Sequence, residues 1–63
     1  MDKSLKKLRL ARKARGLTQA QAAELLGVAS NTWSRWERGE IELSVSRIRQ
    51  IAEALRCKPG DLL

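Results

Sequence analysis

Apolar residues recur along this chain at the three- and four-residue spacing of amphipathic helices, with capping and breaking residues between the segments. The first segment runs from about Lys3 to Arg15: Leu5 and Leu8 face inward, Arg12 lies one turn beyond Leu8 on the same side, and Gly16 ends it. Thr18 with Gln21 three residues later is a capping-box signature, in which each side chain satisfies a backbone donor left free at a helix start. The Ala-rich run AQAAELL continues as a helix, Gly27 supplies the permissive backbone of a helix end, and Val28 anchors the turn. A third helix is expected to start at Ser30 or Asn31 and to stop at Gly39. Ser44 caps a fourth, whose apolar positions are Val45, Ile48, Ile51, Ala52 and Leu55. After a turn through residues 56–58, Pro59 opens a short fifth helix, proline being tolerated in a first turn. Leu62 should dock on the core, and Leu63 is either core or interface. The expectation is an all-α fold, a bundle of five short helices forming a single domain over residues 1–63.

The third helix has two chemically opposite faces. At roughly 100° per residue, Trp33, Trp36 and Glu37 fall on one side, and Asn31, Ser34, Arg35 and Arg38 on the other. The second face carries amide, hydroxyl and guanidinium groups, the side-chain types that read base edges and grip phosphates. A polar face turned to water would give the same spacing, but this one lacks the Glu/Lys mixture of an ordinary solvated helix. Asn31 suits bidentate pairing with adenine, Arg35 suits guanine or a phosphate, and Thr32 and Ser34 suit a phosphate or a thymine methyl. Arg38 is a phosphate contact or a solvated charge favoured by the helix dipole. The amides opening the fourth helix, with Ser46 and Arg47 beside them, are placed to hold a phosphate, whereas Arg49 reads as solvated.

Composition narrows the chemistry further. A chain of 63 residues forms one small domain, and a domain this size buries only about 60% of the surface its unfolded chain exposes. The single Cys57 cannot form an internal bridge and reads as a small buried hydrophobe, with a redox role as the lesser alternative. Without histidine the chain lacks nearly every zinc-site pattern and the usual acid–base partner, and it has no Gly-rich phosphate loop. No enzyme, no metal and no cofactor are expected. There is no signal peptide and no bilayer-spanning run, so a cytosolic protein is expected, associated with the nucleoid when bound to DNA.

The net charge of +6 is informative for where it sits. Residues 1–15 hold Lys3, Lys6, Lys7, Arg9, Arg12, Lys13 and Arg15 against Asp2 alone, and the remainder of the chain balances. A polyanion is therefore drawn chiefly to the N-terminal end. A solvated basic face is the plainer alternative; an anionic membrane surface is a poorer one, because this helix has few large apolar residues and no aromatic.

The stretch GLTQAQAAELLGVASNTWSRWERGE resembles the helix-turn-helix of the phage repressor/Cro family, also called the XRE family. Gly16-Leu17-Thr18-Gln19, Ala23, Leu26-Gly27-Val28 and Ser34-Arg35-Trp36-Glu37-Arg38-Gly39 carry the match. It continues through Ile51-Ala52, Leu55 and Asp61-Leu62-Leu63. The resemblance implies a lambda-repressor-like fold with the helix-turn-helix at about residues 18–38, and a structural ion pair between Arg12 and Glu37. It implies that Gln19 contacts a phosphate and helps fix the next helix; a plain exposed residue is the alternative. It ranks Asn31 and Arg35 first as base readers, then Ser30 and Ser34.

Four positions and one loop depart from the family pattern. Ala11 and Ala22 stand where leucine is usual and Trp33 is larger than the common Ile or Val, as if the small alanines leave room for the indole. Ala29 stands where a capping Ser or Thr is frequent, so Ser30 is expected to cap instead, which would divert its hydroxyl from DNA. The loop GEIELS carries Glu40 and Glu42, which would repel phosphates. The implied function is a sequence-specific double-stranded DNA-binding transcription regulator, a repressor acting as a homodimer on a palindromic operator. The alternative is a protein-interaction or antitoxin-type module of the same fold; RNA is a weaker third, since there is no Tyr or Phe for stacking.

Overall fold

The computed structural model describes residues 4–62, so the place of Leu63 lies outside the described residues; the first helix, expected from about Lys3, starts only at Lys6, since Ser4 is not helical and Leu5 is its N-cap. Four α-helices follow in chain order: α1 Lys6–Ala14, α2 Gln19–Leu26, α3 Ser30–Glu37 and α4 Val45–Leu55. The segment expected as a fifth helix is instead a single 3-10 turn, Pro59–Leu62. Four residues opening on a proline that lacks an N–H cannot build an α-helical ladder, and i→i+3 closure suffices for them. Asp61 fastens this turn by accepting from the Lys58 N–H at 3.1 Å.

Local sequence accounts for α2 and for both turns around it. Thr18 Oγ1 accepts from the Gln21 N–H at 3.1 Å, and Gln21 Oε1 accepts from the Thr18 N–H at 2.9 Å, closing the capping box. At the far end Gly27 takes a left-handed φ of 69°, and the Val28 N–H turns back to the Ala23 carbonyl at 3.0 Å. α4 starts equally simply, with Ser44 Oγ accepting from the Arg47 N–H at 3.1 Å. Its C-cap, Arg56, adopts the left-handed conformation (φ 54°) without being glycine, and nothing in the residue type announced it.

Two expectations are corrected here. The N-cap of α3 is Ala29, not Ser30, and it makes no side-chain cap bond. Ala29 has extended backbone, and its carbonyl accepts from both the Thr32 N–H (3.0 Å) and the Trp33 N–H (3.2 Å), so Ser30 is already helical and its hydroxyl is not spent on capping. Val45, expected on the core stripe of α4, is 68% exposed. It occupies the first turn, ahead of the point where the stripe of Ile51, Ala52 and Leu55 reaches the interior.

The core is assembled from every helix: Leu8, Ala22, Ala23, Trp33, Trp36, Ile51, Ala52, Leu55 and, from the 3-10 turn, Leu62. Trp33 is fully buried, and its ring meets Trp36 edge-on at 5.7 Å between centroids. Ala22 is fully buried in the same cluster, and Ala11 is partly buried against it.

Candidate nucleic-acid interface

α3 is fixed from within by its last residue. Glu37 is buried, yet its carboxylate is met by donors from three elements. Arg12 Nε of α1 donates to Oε2 at 2.6 Å and Nη2 reaches Oε1 at 3.4 Å; Gln19 Nε2 of α2 donates to Oε1 at 3.1 Å; and Trp33 Nε1 donates to Oε2 from one turn earlier in α3. The remaining arm of the guanidinium, Nη1, donates to the Leu17 carbonyl at 2.7 Å, and the Leu5 N–H donates to the Glu37 backbone carbonyl at 2.8 Å. Among the described residues no buried side-chain nitrogen or oxygen is left without a partner. Burial by itself would raise the Glu37 carboxyl; the hydrogen bonds from Arg12, Trp33 and Gln19, with the Arg12 charge, outweigh it and hold the pKa below the ordinary value. The group stays ionised, and α1, α2 and α3 are locked to one another through it.

Sequence reasoning named Arg12 and Glu37 but missed the indole. Trp33 was read only as an apolar filler, although its spacing of four residues from Glu37 on a helix was signal enough for an N–H to carboxylate bond. Gln19 is half-buried, and its amide N–H₂ is turned toward this carboxylate.

The opposite face of α3 is open. Ser30, Asn31 and Arg35 are exposed, and Ser34 and Thr32 are half-exposed. The helix carries no side-chain cap and no acidic residue in its first turn, which leaves its positive end uncovered. Arg38, just past the helix, is exposed and holds Glu40 in a 2.7 Å surface ion pair. Such a pair contributes about 0–1 kcal/mol, so Arg38 is readily drawn to another anion. Ser46 is exposed at the start of α4, its hydroxyl 3.2 Å from that of Ser44. Arg47 is half-buried with its guanidinium over the Trp36 ring. The structure thus gathers Ser30, Asn31, Ser34 and Arg35 on one helix, and sets Gln19 and Arg47 against protein groups.

Elsewhere the chemistry is sparse. On α1, Lys7, Arg9 and Lys13 are exposed. The Cys57 thiol is pushed up in pKa by burial and by the charge of Asp61, which keeps it protonated and poorly nucleophilic. No helix among the described residues is long and apolar enough to cross a membrane.

Residues 8–62 match the HTH_3 helix-turn-helix family. Among solved structures, the restriction-modification controller protein C.AhdI from Aeromonas hydrophila superposes with a TM-score of 0.84 at 34% identity, covering 92% of this chain and 84% of that one. The clp gene regulator ClgR from C. glutamicum gives 0.83 at 30% identity, covering 89% and 73%. The type II methyltransferase M.MspI from Moraxella sp is 37% identical over 51 residues, which are 81% of this chain but only 12% of that protein's length.

Proposed function

We propose that this chain, which belongs to the XRE-type helix-turn-helix family of DNA-binding transcription regulators, is a repressor that binds a palindromic operator as a homodimer. α3 enters the major groove, where Asn31 and Arg35 read bases and Ser30 and Ser34 assist. Gln19, Thr32, Arg38, Ser46 and the opening amides of α4 lie along the phosphate backbone. The single observation that carries this reading is the division of α3: both indoles and Glu37 buried, with Asn31 and Arg35 exposed on an uncapped helix. The correction at Ala29 strengthens it, because Ser30 keeps its hydroxyl for a base or phosphate.

A module of this size gains affinity and specificity by pairing, with half-sites one helical turn (~10 bp) apart. A groove lined by Leu5, Ile41, Leu43, Ile48 and Leu62, together with Glu40 and Glu42, lies beside the C-terminal turn and is a partly apolar seat for the pairing surface. The protein works in the cytoplasm, at the nucleoid. Selection of bound sites from a random duplex library tests the whole reading. It should return an inverted repeat, and Arg35→Ala should relax one base position per half-site by about 1–3 kcal/mol. A library that yields no enriched motif would favour a protein-interaction module, and an unchanged motif in Arg35→Ala would remove Arg35 from the readers.

A further inference from the structure

We infer that Arg47 is a positioning residue for DNA recognition rather than a phosphate ligand, an inference that rests on the DNA-binding reading above. It clasps the first turn of α4 to the base-reading helix α3. Its Cζ lies 5.2 Å from the centroid of the Trp36 ring, and its Nη1 donates to Gln50 Oε1 at 3.1 Å. Its backbone N–H is already taken by the Ser44 cap. Among the described residues no carboxylate pairs with this guanidinium, so ring and amide together set where it lies.

Trp36 is only 4% exposed and meets Trp33 edge-on, and Trp33 in turn donates to Glu37. An unbroken line of contacts therefore runs from the buried Arg12–Glu37 pair, through both indoles, to Arg47 and the end of α4 that carries Ser44 and Ser46. Among the described residues no hydrogen bond or ion pair joins a side chain of α3 to one of α4, and the stacked guanidinium is the polar contact between them. It fixes the base-reading side chains relative to the backbone-facing turn, so geometry, more than charge, is what this residue supplies. A planar, weakly hydrated guanidinium, which covers the ring while donating to Gln50, suits that task better than a compact, strongly hydrated ammonium.

Arg47→Lys and Arg47→Gln in the full chain decide it, each measured on the library-selected duplex and on random duplex across a salt series, with thermal melts as the control for folding. Lysine keeps the charge that a phosphate needs and loses the stacked fork; glutamine loses both. Both variants should lose selectivity, binding the selected duplex roughly 3- to 30-fold more weakly while random duplex binding changes little, the worth of a partly desolvated cation–π contact. Their salt slopes should match wild type. Selectivity retained in Arg47→Lys overturns the inference, and so does a slope about one unit shallower in Arg47→Gln, the mark of a lost phosphate contact. A wild-type chain with no salt-sensitive duplex binding sinks the DNA-binding reading itself, and this inference with it.

Discussion

The two helices of the helix-turn-helix are the same length, eight residues each, and are held by opposite means. α2 is built from its own sequence: a reciprocal capping box at Thr18 and Gln21, strong helix formers within, and a left-handed glycine at the end. α3 has an alanine for its cap and a run of Ser, Asn, Thr and Trp that favours helix weakly. What holds it is its inner face, two indoles in the core and a carboxylate satisfied by Arg12, Gln19 and Trp33. The difference teaches how the outward face of a helix is freed for another task. Because stability comes from Trp33, Trp36 and Glu37, the outward positions need not be good helix formers, and residues suited to the base reading proposed for them can occupy them.

That contrast is broken most severely from the inside of α3. Trp33→Ala removes a fully buried indole and a donor to Glu37, a loss of about 3–5 kcal/mol. Total stability for a chain this size is of order 3–9 kcal/mol, so circular dichroism should show a largely unfolded or very low-melting protein. A folded variant with near-native melting would show that α3 stands without its tryptophan.

Acid should act on the same face. Glu37 has a lowered pKa in the folded protein, so its contribution is fully present above the unfolded value of about 4.3 and is lost as pH falls through the lower folded one. Denaturant titrations should find wild type weakening steadily below about pH 4. Glu37→Gln should be less stable at neutral pH by up to about 3–5 kcal/mol, since Arg12 is left buried without its counter-ion, and should show a flatter acid limb. Equal acid sensitivity in both would place the titrating group elsewhere.

The caps give the smallest effects and sharpen the comparison. Thr18→Ala should cost about 1 kcal/mol, whereas Ala29→Ser should add a comparable increment by giving α3 the cap it lacks. Ala29→Ser read by melting temperature and by duplex affinity together is the more informative, because a new hydroxyl over the helix end competes with any phosphate there. Stability gained with no change in affinity would show that this end of α3 is not used.

How much of this was legible in the sequence follows from the same division. α2 and the start of α4 were readable because Thr18, Gln21, Gly27 and Ser44 act within a few residues of themselves. The two faces of α3 followed from helical spacing. The start of α3 at Ser30 followed from the sequence, but its cap was misjudged because residue type favoured Ser30, whereas the chain places extended backbone at Ala29. Val45 fits an apolar stripe by spacing and misses the core by position in the first turn. The Gln19 bond to Glu37 and the Arg47 stack on Trp36 depend on how separate elements are brought together, and neither spacing nor type alone announced them, whereas the Trp33 bond lay within reach of helical spacing.

The central claim is that stability and DNA reading occupy opposite sides of one helix. Asn31→Ala, measured on one preparation for both unfolding free energy and affinity for the selected duplex, tests it most directly. The account predicts stability within about 0.5 kcal/mol of wild type together with a loss of about 1–3 kcal/mol in binding. Unaltered affinity, or a stability loss large enough to explain a weaker complex, would contradict it.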